Sequence, residues 1–477
     1  MHVHDLDATA QAELVRNGTT SPEELVDHAI ERIEKHNAEL GAVIYPMFEQ
    51  ARADAKHALP GPFRGVPILI KDICALVAGV PYTAGMLPLK NAGFKPPVDS
   101  HLVTQLKRAG FVVVGKSNTS ELGILPAAEN PAWPPTKNPY DTARSSGGSS
   151  GGSSSAVAAG LVPIAHANDG GGSIRIPASC CGLYGLKPSR GRVSLAPHLG
   201  DVNGGLVSEH VVTRSVRDSA AVLDALAGPV SGDPYSAPPQ LRPYLAELAA
   251  PTGRLKIGFY TKHPALDTSL VESHPDCVAA VAHTAKLLEG LGHHVEEAFP
   301  AGFHHPEWTS RFLTLWTSGV TYSIDSISRQ LGRPIEEHEV EGLTWALSEL
   351  GRMMKASAYV DAWQWIQLNT RETSKFWERY DLWLTPTVAE PPVPLGTFKS
   401  PPDDPLAGIF RAADFTPFTP PFNATGQPAC SLPLYRNAAG LPIGTQLVAA
   451  MGREDLLLQI SAQLEAAQPF THPATRA

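Results

Sequence analysis

Two serines in glycine-rich segments could take part in catalysis. Ser149 lies in "GGSSGG", residues 147–152, and Ser173 lies in "NDGGGSIR", residues 168–175. A serine hydroxyl becomes a nucleophile when a nearby base removes its proton. Backbone N–H groups of glycines, which carry no side chain, can receive the oxyanion that forms during attack on a carbonyl. The two segments therefore predict a serine hydrolase site, with Ser173 in the position of the nucleophile.

Lys71 and His166 are the candidate bases. His166 lies within the strand that precedes Ser173, and no GxSxG motif surrounds that serine, which argues against an ordinary Ser-His-Asp triad. Lys71 follows the apolar residues of "PILIKD", and burial can lower the lysine pKa by the roughly 3 units that leave the amine neutral at pH 7. For this residue alone, pairing with Asp72 or extension into solvent remains the alternative.

The composition of residues 144–160, "RSSGGSSGGSSSAVAAG", is also that of a flexible linker. However, the segment leads directly into a small-residue helix and an apolar strand, and the second glycine-rich turn follows. Two such turns around one helix–strand unit are typical of loops where the backbone approaches a ligand closely. We therefore interpret residues 144–160 as part of an active site.

The elements that must hold these residues alternate between helix and strand. Residues 21–37 carry the signature of a capped amphipathic helix, and residues 65–72 form a short apolar run typical of a buried strand. This alternation predicts an α/β fold. Stretches rich in proline flank roughly residues 265–380, which we predict to be a mainly helical insert that covers the substrate pocket within a single domain of residues 1–477.

Aromatic residues suggest an apolar channel. Trp308, Phe312 and Trp316 follow one another at helical spacing, a pattern that is more typical of a core than of a pocket. Trp316 nevertheless remains a pocket candidate, because tryptophan rings often line sites for apolar ligands. Trp133 and Tyr140, in the proline-rich loop before the first serine segment, are the stronger pocket candidates.

The order of these motifs resembles that of the amidase signature family of amide hydrolases. Lys71 in "GVPILIKD" precedes "GGSSGG" and then "DGGGSIRIPAS", and Ser173 lies 24 residues after Ser149. The resemblance extends over nearly the whole chain, through the further segments "KPSRGRVS" (187–194), "FNATGQPACSLPL" (422–434) and "GLPIGTQLVAA" (440–450).

The resemblance implies a large twisted mixed central sheet with helices on both faces and a Ser–cisSer–Lys triad. In that triad Ser173 is the nucleophile, Ser149 is the bridging serine after a cis peptide bond, and Lys71 is the base. The resemblance also implies a bracing pair of Asp169 and Arg175. The expected oxyanion hole consists of the backbone N–H groups of Gly170, Gly171, Gly172 and Ser173.

This chain departs from the family pattern just before the nucleophile. Many members carry threonine or serine on both sides of the aspartate, whereas this chain has Asn168 and Gly170. We expect the missing β-carbon at Gly170 to widen or loosen the loop beside the acyl pocket.

The resemblance implies hydrolysis of hydrophobic small-molecule amides, anilides, carbamates (urethanes) or aminohexanoate oligomers, with no cofactor. The alternative is a subunit of an amidotransferase that makes ammonia from glutamine for tRNA-dependent amidation. Both functions would use the same triad. A binding protein without catalytic activity is disfavoured, because Lys71, Ser149 and Ser173 are all present.

Composition excludes several other classes of protein. A net charge of −9, without a basic stripe, argues against nucleic acid as a partner. No apolar run approaches the roughly 20 residues that span a bilayer and no signal-peptide pattern is present, so we expect no membrane association and a cytoplasmic protein. Five cysteines without a CxxC pair, and histidines without ligand spacing, predict neither disulfides nor a metal site. The oligomeric state stays open, with a homodimer as one option.

Overall fold

Strands of one large mixed sheet form the centre of the molecule. The computed structural model describes residues 2–264 and 272–472. Within these ranges, eleven strands pair in the order β1-β3-β2-β6-β8-β7-β12-β13-β11-β9-β10, and β4 and β5 form a separate hairpin. The strands are β1 (Val43–Pro46), β2 (Pro67–Lys71), β3 (Val112–Ser117), β4 (Lys137–Asn138), β5 (Asp141–Ser145), β6 (Ile164–Asp169), β7 (Tyr184–Lys187), β8 (Ser208–Thr213), β9 (Lys256–Phe259), β10 (His294–Glu297), β11 (Leu382–Pro386), β12 (Ala429–Arg436) and β13 (Pro442–Ala449).

Helices cover this sheet. They are α1 (Ala8–Arg16), α2 (Pro22–Leu40), α3 (Phe48–Lys56), α4 (Leu87–Ala92), α5 (His101–Arg108), α6 (Gly151–Ala158), α7 (Arg175–Cys181), α8 (Val216–Leu226), α9 (Tyr244–Glu247), α10 (Pro275–Gly290), α11 (Trp308–Leu331), α12 (Gly342–Met353), α13 (Ala356–Ser374), α14 (Ala407–Phe415), α15 (Pro420–Thr425) and α16 (Glu454–Ala467). The predicted α/β fold with a mixed central sheet is confirmed.

The capped helix that the sequence predicts at residues 21–37 is α2. Ser21 accepts a hydrogen bond from the backbone N–H of Glu24, and the Glu24 carboxylate accepts one from the backbone N–H of Ser21. This reciprocal capping box satisfies two donors that a helix start leaves unpaired. Val26, Ile30 and other apolar residues of α2 are buried against the sheet.

The sheet changes from parallel to antiparallel pairing near the catalytic candidates. Strand β2 pairs in parallel with both β3 and β6, whereas β6 pairs antiparallel with β8. In the register of that last pair, Asn168 lies directly opposite Glu209. Lys71 ends β2 and Asp169 ends β6, and all residues of both strands are buried. Because neighbouring parallel strands end at the same edge of a sheet, their terminal side chains lie close together.

The segment predicted as a helical insert contains both helices and a strand. Its residues 265–271 lie outside the described residues. In the remainder, β10 joins the edge of the main sheet, next to β9. The long helices α11, α12 and α13 follow and share a hydrophobic cluster with Ile124, Leu125 and Ile176. These helices therefore pack against the start of α7, which follows Ser173. That they cover the substrate pocket stays a prediction, as does the division into domains.

Candidate active site

The segment 147–152 packs tightly against the rest of the molecule. A β-carbon on Gly148 would lie 2.3 Å from the backbone nitrogen of Ala127, and one on Gly152 would lie 2.3 Å from that of Asn118. A side chain at either position would collide with backbone, so glycine is required by close approach. The peptide bond between Gly148 and Ser149 is cis, as the family resemblance implies. The interpretation as a flexible linker is therefore excluded.

Lys71 points from the end of β2 to the first serine segment. Its Nζ lies 2.8 Å from Ser149 Oγ and 2.6 Å from Asn168 Oδ1, and the side chain is fully buried. Asp72 instead forms a buried ion pair with Lys116, with 3.3 Å between Nζ and Oδ1. The alternative in which Lys71 pairs with Asp72 or extends into solvent is therefore wrong.

Burial sets the charge of Lys71. Removal of the ammonium group from water lowers the pKa of Lys71 to about 7, although the nearby Cys74, Glu209 and Asp169 act in the opposite direction. A lysine of ordinary pKa is almost entirely protonated at neutral pH. Here a large fraction is the neutral amine, which has a lone pair and can accept a proton.

Ser173 lies in the short loop between β6 and α7. Asp169 and Arg175 brace this loop through a bidentate pair of fully buried side chains, with two N–O distances of 2.9 Å. Burial alone would raise the pKa of the Asp169 carboxyl, but the attraction of Arg175 lowers it to about 2. The Asp169–Arg175 pair that the family resemblance implies is thus present.

The loop between β6 and α7, which we call the nucleophile loop after the predicted role of Ser173, presents fewer free N–H groups than the sequence predicts. The N–H of Gly172 donates to Asp169 Oδ1 at 2.7 Å, so this N–H is not available to donate to an oxyanion. The predicted oxyanion hole must therefore be corrected by removing Gly172. In the described part of the chain, the N–H groups of Gly170, Gly171 and Ser173 donate to no other group, and they remain candidates.

The two segments that carry the candidate serines meet through their backbones. The N–H of Ser150 donates to the carbonyl oxygen of Ser173 at 3.3 Å. Within residues 2–264 and 272–472, the hydroxyls of Ser149 and Ser173 form no hydrogen bond with each other. Catalytic hydrogen bonds are often long in a ligand-free site and close only when substrate binds. A rotation about χ1 of Ser173 would redirect its hydroxyl.

An apolar cavity opens beside Ser173. Gly171 and Ser173 form part of its lining, and no Asp, Glu, Lys or Arg contributes to the lining among the described residues. An aromatic wall, which we define as Phe303, Trp308, Phe312 and Trp316, forms one side. The rings of Phe312 and Trp316 stack with 5.4 Å between their centroids.

The nucleophile loop contacts this wall directly. A β-carbon on Gly170 would lie 3.2 Å from the Trp316 ring, and one on Gly171 would lie 3.3 Å from the Phe312 ring. The sequence predicts that the missing β-carbon at Gly170 widens the loop. That expectation is wrong, because the Trp316 ring occupies the space.

Two of the three predicted pocket residues lie elsewhere. The indole N–H of Trp133 donates to Thr83 Oγ1 at 3.0 Å, and Lys90 Nζ lies 3.7 Å from the centre of its ring. Tyr140 packs against the guanidinium of Arg436, which donates to its hydroxyl at 3.0 Å. Neither side chain lines the cavity beside Ser173. Trp316, by contrast, does.

Sequence reasoning missed Glu209. This residue is 3% exposed and touches both Asn168 and His166. The signal in the sequence is a carboxylate within the strand "SEHVVT", where an acidic side chain has to find buried partners. His166, rejected above as the base, contacts the backbone of Lys71 and neither of the two serines.

The described ranges contain no cluster of three or more His, Cys, Asp or Glu side chains that could hold a metal ion. They also contain no helix long and apolar enough to cross a bilayer. The catalytic candidates are therefore a lysine and two serines beside an apolar cavity, an arrangement suited to attack on a carbonyl carbon.

Comparisons with known proteins agree with this class of site. The profile of the amidase family matches residues 24–458. The chain is 40% identical over 472 residues to a 6-aminohexanoate-cyclic-dimer hydrolase of a Pseudomonas species (strain NK87), with 97% of this chain and 95% of the relative covered.

Solved structures agree as well. A 6-aminohexanoate cyclic dimer hydrolase in complex with substrate is similar with a TM-score of 0.95 and 39% identity, with 98% of each chain covered. A bacterial aryl acylamidase of the amidase signature family is similar with a TM-score of 0.88 and 26% identity, with 98% of this chain and 97% of that chain covered.

The fold and these similarities define a hydrolase of carbon–nitrogen bonds that has a mixed α/β architecture. The chain belongs to the amidase signature family, as the motifs of the sequence indicate. It hydrolyses linear or cyclic amides other than peptides.

Proposed function

We propose that this amidase hydrolyses uncharged, apolar small-molecule amides through Lys71, Ser149 and Ser173. The observation that carries the substrate class is the cavity beside Ser173, whose described lining is aromatic and aliphatic and holds no charged side chain. Anilides, aryl carbamates and cyclic aminohexanoate amides have this character. The names of the similar proteins, a cyclic dimer hydrolase and an aryl acylamidase, point to the same substrates.

The proposed reaction begins with proton transfer along the triad. Neutral Lys71 accepts the proton of Ser149 while Ser149 accepts that of Ser173. The Oγ of Ser173 then forms a bond to the amide carbon. The carbonyl oxygen becomes an oxyanion, which the N–H groups of Gly170, Gly171 and Ser173 stabilise. The 2.8 Å contact between Lys71 and Ser149 supports the first transfer.

Collapse of this intermediate breaks the carbon–nitrogen bond. The proton held on Lys71 returns through Ser149 to the leaving nitrogen, so that a neutral amine departs and an ester to Ser173 remains. A water molecule then loses a proton to the same relay and attacks the ester carbon. Release of the acid restores the hydroxyl of Ser173.

Glutamine is the substrate of the alternative function. Its α-ammonium and α-carboxylate would need charged or strongly polar partners, because removal of unpaired ions from water is costly. Among the described residues, the lining offers Thr309, Thr416 and His263 besides Ser173. We therefore favour neutral amides over glutamine.

A substrate panel tests the proposal. It comprises 6-aminohexanoate cyclic dimer, 4-nitroacetanilide, phenyl N-methylcarbamate and glutamine, and amine, phenol or ammonia release is measured for each. We expect turnover of at least one neutral substrate and no ammonia from glutamine above the Ser173→Ala background. Preferred hydrolysis of glutamine would contradict the proposed substrate class.

A further inference from the structure

Three buried residues behind Lys71 form a closed chain of hydrogen bonds. Asn168 Oδ1 accepts from Lys71 Nζ at 2.6 Å, and Asn168 Nδ2 donates to Glu209 Oε1 at 3.4 Å. Glu209 Oε2 lies 2.5 Å from His166 Nε2. His166 Nδ1 accepts from the backbone N–H of Lys71 at 3.3 Å. The chain therefore starts at the side chain of Lys71 and ends at its backbone.

The sheet places these residues on one face. His166 and Asn168 are two residues apart on β6, so their side chains point to the same side. Glu209 lies opposite Asn168 on β8, where facing residues of an antiparallel pair approach closely. All three are at most 5% exposed.

The partners determine the orientation of each group. The carbonyl oxygen of Ile73, at 3.1 Å from Asn168 Nδ2, can only accept, so the amide of Asn168 must direct its oxygen at Lys71. His166 accepts at Nδ1, so its proton is on Nε2 and donates to Glu209. Glu209, with Asn168 and His166 both donating to it, is the acceptor-only carboxylate.

We propose that Asn168, Glu209 and His166 are positioning residues that fix the direction in which Lys71 presents its lone pair. A neutral amine has two N–H groups and one lone pair, and Nζ has two close oxygen neighbours. Asn168 Oδ1 can only accept and so takes one N–H. With one N–H held there, Nζ can turn its lone pair to the hydroxyl proton of Ser149, which is the direction that proton abstraction requires. The inference rests on the proposed role of Lys71 as the base.

Glu209 also supplies a negative charge that acts to raise the pKa of Lys71, and within residues 2–264 and 272–472 it has no lysine or arginine partner. The other groups around Lys71 are accounted for: Asp169 pairs with Arg175, and Lys116 on β3 pairs with Asp72. Burial raises the pKa of the Cys74 thiol, which keeps it neutral, and His166 Nδ1 accepts from the backbone N–H of Lys71. Loss of the Glu209 charge should therefore lower the pKa of Lys71, because the ammonium form loses an attractive neighbour.

The test is the rate at which a fluorophosphonate labels the enzyme, because this reaction requires an activated serine but no knowledge of the substrate. For the wild type we expect the labelling rate to fall below pH about 7, as Lys71 becomes protonated. Glu209→Gln should move this acid limb down by about one pH unit. Asn168→Leu, which keeps the size but removes the acceptor, should reduce the maximal labelling rate by about 10- to 100-fold and leave the half-saturating probe concentration unchanged.

His210→Gln is the matched control. His210 lies beside Glu209 on β8 and bonds to Ser219 at 2.9 Å, away from Lys71. This variant should lower thermal stability without moving the acid limb. Suppose that Lys71→Ala abolishes labelling, but that Glu209→Gln and Asn168→Leu both keep the acid limb and the maximal labelling rate of the wild type. This result would refute the positioning role of Asn168, Glu209 and His166. Wild-type labelling by Lys71→Ala would instead refute the proposed triad. If Glu209→Gln does not fold, the maximal labelling rate of Asn168→Leu tests the proposal alone.

Discussion

The catalytic floor, which we define as Lys71, Ser149, Asn168 and Ser173, and the aromatic wall meet at Ser173 but are built differently. Lys71 is held by short hydrogen bonds at the end of a strand. The wall is held by ring packing on and beside α11, as the stacked Phe312 and Trp316 and the contact of Phe303 with Trp308 show. A change in the floor should alter the rate for every substrate, whereas a change in the wall should alter the preference among substrates.

The largest expected effect is in the floor. Ser173→Ala removes the proposed nucleophile and should reduce turnover of every substrate by more than about 10⁴-fold. Initial rates on the best neutral amide measure the loss. Ser154→Ala is the matched control, because the buried hydroxyl of Ser154 has no hydrogen-bond partner among the described residues and lies on α6, away from the cavity. Activity in Ser173→Ala near that of the control would refute the assignment.

The next effect concerns the base. At pH 8, Lys71→Ala should reduce kcat/KM by about 10²–10⁴-fold, since general-base assistance is lost. In the wild type, kcat/KM should fall about tenfold per unit below pH about 7, because a lysine whose pKa is lowered is protonated there. The substrate used is uncharged, so that its own titration does not contribute to the pH dependence of kcat/KM. An activity that stays flat down to pH 5 would contradict a lysine base.

A smaller effect should follow from opening the wall. Trp316→Ala should raise KM for aryl substrates by roughly 10- to 100-fold, which corresponds to the loss of about 1.5–3 kcal/mol of apolar contact. The kcat should change little, because Trp316 does not belong to the catalytic floor. Michaelis kinetics on an anilide and on acetamide separate the two parameters. Equal losses of kcat/KM on the anilide and on acetamide would show that the aromatic wall also holds the catalytic floor in place.

The contact between floor and wall can be measured by a double-mutant cycle. Gly170→Ala places a β-carbon 3.2 Å from the Trp316 ring and should reduce kcat/KM several-fold in the wild type. In the Trp316→Ala background the same change should have a smaller effect, because the ring is gone and only Val207 Cγ2, at 3.3 Å, remains close to the new β-carbon. Strictly additive effects would show that Gly170 and Trp316 act independently.

The smallest effect is expected outside both regions. Trp133→Phe removes the hydrogen bond to Thr83 and should lower the free energy of unfolding by about 1 kcal/mol without changing kcat or KM. Chemical denaturation and kinetics on the same preparation measure both. A rise in KM for an aryl substrate would instead show that Trp133 belongs to the substrate pocket.

The floor could be predicted from sequence because its requirements are local. A lysine after an apolar strand and serines among glycines are unusual, and the family pattern gave their roles. The α/β fold followed from the alternation of helix and strand. The oxyanion hole could be predicted only in part, because the bond from Gly172 to Asp169 depends on the folded shape of the loop.

The wall could not be predicted in the same way. Trp308, Phe312 and Trp316 have the spacing of any buried helix face, and only the packing of α11 over the nucleophile loop turns them toward a cavity. Trp133 is close to Ser149 in sequence, yet its ring points to Thr83 and Lys90. Glu209 was missed because its partners come from another strand.

Identification of the serine that carries the covalent adduct tests the central claim most directly. The wild type is labelled with a fluorophosphonate at pH 8, digested, and analysed by mass spectrometry. The account predicts a single adduct, on the peptide that contains Ser173, and no adduct in Ser173→Ala. An adduct on another serine, or undiminished labelling of Ser173→Ala, would contradict it.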